Sequence, residues 1–250
     1  MCDLSGRSAL VSGAGAPGGI GFAIAKALKE SGASVHITST TDRIFDRAKE
    51  IGATASVADL TVESECQRVV GELTSLDILV NNAGMTTIKD AAKSDESGPL
   101  TEISLEGFRR GIARNVETSF NLTKFSLPLL RKSPSGRIIM ISSVTGPQMA
   151  MRNQPVYATA KAALVGLIRS LALDEAQYGI TANAILPGWI ATDTQNEFES
   201  AQGMRTPLGR SGKPEEIASL VNWLASPSSG YMTGQALIVD GGNSISEEFH

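Results

Sequence analysis

The chain predicts an α/β fold with a doubly wound, seven-stranded parallel sheet and helices on both faces. Short β-branched or apolar runs alternate with helix-length segments along the whole sequence. The runs are near-continuously apolar rather than strictly alternating, as strands covered on both sides require. A cluster of glycines, 13, 15, 18, 19 and 21, stands at the first strand–helix junction. SALVS is the first strand, and the helix FAIAKALKESG follows the glycines. ASVHIT, ATASVA, LDILVN, GRIIMIS, ITANAIL and QALIVD supply the other six strands. Ser104 to Leu130 and Gln154 to Tyr178 read as long helices, the second with Pro155 in its first turn, where a missing N–H costs nothing. Met85 to Leu105 and Gly188 to Pro214 read as irregular. Both follow strand C-termini, which in a parallel sheet face the ligand crevice.

Composition narrows the class. A chain of 250 residues, 42% of them hydrophobic, buries roughly three quarters of its surface without metals or cross-links, so one domain over residues 1–250 is expected. Cys2 and Cys66 lack C-x-x-C spacing, which points to a reducing, cytoplasmic setting with neither disulfide nor metal site. The N-terminus lacks a charged start followed by an apolar run, and no segment approaches the ~20 apolar residues of a membrane span. A net charge of -4 with dispersed Lys and Arg argues against a nucleic-acid partner.

The glycine cluster carries the first functional signal. Glycines at this junction let the backbone approach a pyrophosphate, whose charge meets free N–H groups and the positive helix end. That is the Rossmann dinucleotide arrangement, with Gly13, Gly15, Gly19, Ile20 and Gly21 as the cofactor loop. The second strand ends Thr38-Ser39-Thr40-Thr41-Asp42-Arg43. Hydroxyls stand where an acid would bind a 2′-hydroxyl, and Arg43 is near enough to pair with a 2′-phosphate. Thr40 and Arg43 therefore favour NADP(H) over NAD(H). Asp42 is the counterargument, unless it caps the next helix.

Tyr157 and Lys161 lie four residues apart at the start of a helix, on one face. A nearby ammonium stabilises a phenolate and moves its pKa towards neutrality. Alone, such a pair is more often an amphipathic helix face.

In company it is more. The chain resembles the short-chain dehydrogenase/reductase family over nearly its whole length, in its 3-oxoacyl reductase-like branch. The matches run in order: the glycine loop, Asp59-Leu60, Asn81-Asn82-Ala83-Gly84, Asn115, Ser142-Ser143, Tyr157 and Lys161, Pro187-Gly188-Trp189-Ile190-Ala191-Thr192 and Thr233-Gly234-Gln235. The resemblance implies an NAD(P)H-dependent oxidoreductase interconverting a carbonyl and an alcohol. In it Ser143 binds the substrate oxygen, Tyr157 gives or takes its proton, Lys161 holds the nicotinamide ribose, and Asn115 holds a relay water. Asp59 and Leu60 meet the adenine, Asn82, Ala83 and Gly84 line the adenosine, and Pro187, Gly188, Ile190 and Thr192 meet the nicotinamide.

Two departures from the family pattern leave choices open. The phosphate loop is two residues longer than usual, so either it bulges from Gly13 or Gly15 takes the first-glycine role. Ser143 stands fourteen residues before Tyr157, one more than expected, which makes Ser142 a competitor. The longer loop also occurs in enoyl-thioester reductases, but their tyrosine and lysine are further apart. A non-catalytic NADP(H)-binding regulator would be expected to lose the catalytic side chains, which are all present. Serine hydrolysis lacks a G-x-S-x-G motif.

An insertion at residues 89–99 is expected to narrow the pocket mouth. Arg152 either binds an anionic substrate group or faces solvent, and Met149 and Met151 either line the pocket or fill core. By the same resemblance the two long helices pack against partner subunits in a homotetramer, or a homodimer.

Overall fold

The structure, a computed structural model, describes residues 2–84 and 94–247. Its sheet holds β1 (Ser8–Ser12), β2 (Ser34–Ser39), β3 (Thr54–Val57), β4 (Ile78–Asn81), β5 (Arg137–Ile141), β6 (Thr181–Pro187) and β7 (Ala236–Val239). The order is β3-β2-β1-β4-β5-β6-β7, parallel throughout. Each strand sits within the run expected of it or within one residue. The order reverses between β1 and β4, and that switch point places a crevice beyond their carboxyl ends.

The helices are α1 (Ile20–Glu30), α2 (Arg43–Ile51), α3 (Glu63–Gly71), α4 (Leu105–Ile112), α5 (Thr118–Leu130), α6 (Pro155–Asp174), α7 (Glu197–Gly203) and α8 (Pro214–Ala225). Ile24 and Leu28 of α1 and Ile217 and Val221 of α8 pack with Val11, Ile37 and Ile139 on one face of the sheet. Val69, Leu122, Leu164 and Ile168 pack with Leu10, Leu79, Ile138 and Met140 on the other. Neighbouring residues of β5 thus fall in opposite cores, which is why the strand reads as an unbroken apolar run.

Three features depart from the expected elements. The helical stretch from Ser104 to Leu130 is interrupted by a π-helical turn, Ala113–Glu117, between α4 and α5. The stretch from Gly188 to Pro214 contains α7, started by a capping box in which Asn196 and Glu199 exchange side-chain-to-backbone bonds. Among the described residues α6 has a membrane span's length and apolar composition, with a mean hydropathy of 1.4 over its best window. Its apolar residues serve packing here: Leu164, Val165 and Ile168 are buried in the core, and the helix lies against β6.

Candidate active site

Packing from β4 shapes the glycine loop. Gly13 turns with φ of 70°, where a Cβ costs roughly 1–2 kcal/mol, and an added Cβ would lie 2.9 Å from the Ala83 backbone. At Gly21 it would lie 2.5 Å from the Gly13 carbonyl and the Asn82 side-chain amide. That amide donates to the carbonyls of Ser12 and Gly13, both at 3.1 Å. The buried Ser12 hydroxyl accepts from the backbone N–H groups of Asn82 and Ala83, both at 3.0 Å. Gly13 makes the turn, and Gly15 packs on Ser39, where a Cβ would lie 2.8 Å from the hydroxyl.

This loop fits a dinucleotide phosphate. The capping position of α1, Gly19, makes no side-chain bond, and no acidic residue stands in the first turn. The positive helix end is therefore free to favour an anion. An anionic oxygen already rests on the loop, because the Asp193 carboxylate accepts from the Gly18 N–H at 2.7 Å.

At the adenosine side, Thr40 follows β2, Asp42 occupies the α2 capping position without a side-chain bond, and Arg43 is exposed at the first helical position. Asp59 accepts from the Thr61 N–H at 3.0 Å and hydroxyl at 2.7 Å, closing a local turn. The Leu60 side chain belongs to the core, and its carbonyl accepts from Asn121 at 3.2 Å. Beyond β6, Gly188 donates to Val239 at 3.0 Å, Ile190 bridges to Gly212, and the hydroxyls of Thr192 and Thr194 meet at 3.2 Å. Pro187 closes β6.

The four residues assigned to chemistry come together at the ends of β4 and β5. The Ser143 side chain acts on the Tyr157 phenol, and its hydroxyl accepts from the Thr145 N–H at 3.1 Å. Ser142 points elsewhere, donating to the Lys161 carbonyl at 2.8 Å beneath α6. The Lys161 ammonium donates to the Ile141 carbonyl at 3.3 Å and stands 5.6 Å from the centre of the Tyr157 ring. Asn115 lies in the π turn, its amide donating to Gly111 at 3.0 Å. A Cβ on Gly84 would be 2.9 Å from the Asn115 oxygen and 3.5 Å from the Lys161 nitrogen, so both polar atoms converge on that glycine.

Burial dominates the electrostatics. It pushes the Tyr157 phenol above its ordinary value; the Ser143 side chain opposes this, and the Glu199 carboxylate adds to it. Lys161 is brought down from 10.5 to about 8 by burial. Removing both groups from water disfavours their charged forms.

Residues 89–93 of the insertion lie outside the described residues. Its remainder folds onto α4, where Arg110 donates to Asp95 at 2.5 Å, and the Gly98 N–H donates to Asn153 at 2.8 Å. Arg152 lines a cavity of about 660 Å³ with Met151, Asn153, Asn196, Glu199 and Gln202. Met149 accepts from Asn243 at 3.4 Å through its sulfur. The sequence reading assigned no part to Ser12, Asp193 or Glu199. Asn196-x-x-Glu199 was a legible capping signal, whereas Asp193 meets Gly18 across 175 residues, which no local pattern reports.

A sequence profile described as Enoyl-(Acyl carrier protein) reductase matches residues 13–244. The 3-oxoacyl-[acyl-carrier-protein] reductase FabG of Rickettsia bellii is 37% identical over 97% of this chain and 98% of its own length. The chain belongs to the short-chain dehydrogenase/reductase family. It is thereby an NAD(P)-dependent oxidoreductase, similar to the FabG branch. A tropinone reductase homolog of Arabidopsis thaliana is 35% identical over 97% of this chain and 95% of its own. Among solved structures, a dehydrogenase/reductase from Sinorhizobium meliloti has a TM-score of 0.86 at 33% identity, covering 98% of this chain and 97% of its own. The aldohexose dehydrogenase of Thermoplasma acidophilum reaches 0.85 at 30% identity, covering 99% and 97%.

Proposed function

We propose that this short-chain dehydrogenase/reductase interconverts a ketone or aldehyde with its alcohol, using NADP(H) in preference to NAD(H). The observation that carries this reading is the gathering of Lys161 and Asn115 at Gly84 behind Tyr157, with the Lys161 ammonium 5.6 Å from the centre of the tyrosine ring. With the cofactor's pyrophosphate on the glycine loop, its nicotinamide would supply hydride to the carbonyl carbon in reduction and accept it in oxidation. Tyr157 protonates the oxygen and Ser143 orients it. Lys161 and Asn115, converging at Gly84, return a proton to the phenol through water. Gly13, Gly15, Gly19, Ile20 and Gly21 hold the pyrophosphate, and Asp193 must leave Gly18 for a phosphate to take its place. Thr40 and Arg43 receive the 2′-phosphate. Asp59, Leu60, Asn82, Ala83 and Gly84 flank the adenosine, and Pro187, Gly188, Ile190 and Thr192 flank the nicotinamide.

The FabG relatives and the tropinone reductase homologs support carbonyl chemistry. The profile's description and the lengthened phosphate loop favour a second reading, reduction of an enoyl thioester. The four-residue Tyr157–Lys161 spacing, with Ser143 upstream, weighs against it. One domain over residues 1–250, working in the cytoplasm as a homotetramer or homodimer, completes the proposal. Phe120 on α5 and Leu173 on α6 are exposed, as subunit-facing residues of a lone protomer would be.

The test is oxidation of NADPH and NADH against aldehydes, ketones, quinones, 3-oxoacyl thioesters and an enoyl thioester, with Tyr157→Phe as control. Carbonyl turnover abolished by Tyr157→Phe is the expected result. Turnover of the enoyl thioester alone, or none despite tight nucleotide binding, overturns it.

A further inference from the structure

The end of the insertion touches both sides of the candidate site. Two short 3-10 turns, Ser94–Glu96 and Leu100–Glu102, precede α4, and the first packs against it. Asp95 accepts from Arg110 at 2.5 Å and from the Ser104 hydroxyl at 2.6 Å, and Ser104 caps α4 by accepting from the Gly107 N–H at 2.8 Å. The Asp95 carbonyl also presses on Gly107, where a Cβ would lie 2.2 Å from it.

Glu96 turns inward. It is buried, accepts from the Arg110 Nε at 3.3 Å and forms an ion pair with the equally buried Arg114. Arg114 immediately precedes Asn115 inside the π turn. Two residues beyond Glu96, the Gly98 N–H binds the Asn153 carbonyl at 2.8 Å. Asn153 has φ of 61° and stands four residues before Tyr157, in the loop lining the cavity.

We propose that the segment from Glu96 to Gly98 is a brace, in which the Glu96–Arg114 pair is a positioning device for Asn115 and the Gly98–Asn153 bond fixes the adjoining pocket wall. The physical argument lies in the cost of the pair. Two buried charges are strongly desolvated, so their pairing adds little net stability, while either charge left without the other is costly, and the two segments are held to the one geometry that keeps them paired. A π turn offers the backbone alternative registers one residue apart. A buried guanidinium held by a carboxylate from another segment selects among them, and the neighbouring Asn115 is aimed at Gly84 and Lys161 as a result. The inference rests on Asn115 acting in the proton relay proposed above.

Glu96→Gln, Asn115→Ala and the double variant form the test, using the best carbonyl substrate found. Glu96→Gln is expected to lower kcat about tenfold with KM changed less than twofold, and to raise the solvent deuterium isotope effect on kcat. In the Asn115→Ala background it should cause no further loss. Glu106→Gln, which breaks an exposed pair on α4 at 3.7 Å, should leave kcat unchanged.

If Glu96→Gln does not fold, the neutral pair Glu96→Gln with Arg114→Gln is carried through the same cycle. An unchanged kcat and isotope effect overturns the brace, as does a loss that multiplies with that of Asn115→Ala. Turnover surviving in Tyr157→Phe is a separate failure, that of the catalytic reading itself.

Discussion

Tyr157 and Lys161 share a face of α6, and water is withheld from both. A phenol held above its ordinary value is protonated at neutrality, which suits donation to a carbonyl oxygen and hinders abstraction from an alcohol. Alcohol oxidation is therefore expected to climb with pH across the alkaline range, while carbonyl reduction falls only as the phenol ionises above its ordinary value of 10; initial rates in both directions from about pH 6 to 11 check this. Lys161 makes a stability prediction with a definite sign. Its folded-state pKa of about 8 lies below the unfolded 10.5, so below pH 8 the fold carries the full penalty of a buried ammonium. At about 1.4 kcal/mol per pH unit that penalty is at most roughly 3 kcal/mol. Lys161→Met should be more stable than the parent at pH 7 by about 1–3 kcal/mol, the gap closing between pH 8 and 10.5 as the unfolded chain also loses its proton. Urea denaturation across that range tests it, and a constant gap would show that the charge is not what burial penalises. The variant should also lack activity, setting stability against function at one side chain.

At the scale of elements, the phosphate loop offers a direct comparison between two glycines that the sequence alone left equivalent. Gly13→Ala meets backbone at 2.9 Å and a left-handed φ, whereas Gly15→Ala meets the Ser39 side chain, its hydroxyl at 2.8 Å and its Cβ at 3.0 Å, with no left-handed φ to strain it. Gly13→Ala is expected to cost roughly 2–4 kcal/mol and to abolish dinucleotide binding; Gly15→Ala should cost about 1 kcal/mol or less and bind nearly as the parent. Equal losses in both would return the first-glycine role to Gly15. The seven strands were legible because a strand buried on both faces writes an unbroken apolar run. The π turn at Asn115 was not, since one extra residue in a helix scarcely alters its apolar period. Helix α7 was hidden among Thr and Ser, although its capping box stood in the sequence. Tyr157, Lys161, Ser143 and Asn115 were nameable from spacing and resemblance, but their protonation was not, because burial comes from packing by distant segments. The Glu96–Arg114 pair and the Asp193–Gly18 bond were invisible for the same reason.

At the scale of the whole molecule, the sheet order joins two half-units at the β1–β4 switch point, and the glycine loop is stitched across that seam by Ser12 and Asn82. A dinucleotide bound there bridges both halves, so its binding free energy adds to global stability rather than to one loop. A ligand at a hundred times its Kd stabilises by about 2.7 kcal/mol, which for a chain of this size raises Tm by roughly 5–10 °C. NADPH should give a shift of that order in a thermal scan, and NADH a smaller one at equal concentration. The difference is assigned to Arg43, exposed at the start of α2 with its charge available to a 2′-phosphate. Asp42, beside it, acts in the opposite sense by repelling that phosphate. Arg43→Glu should therefore abolish the NADPH advantage or reverse it, leaving the NADH shift within about 1–2 °C of the parent's. If NADH instead gives the larger shift in the parent, Asp42 has won the competition at the end of β2, and the cofactor preference is the reverse of the one proposed.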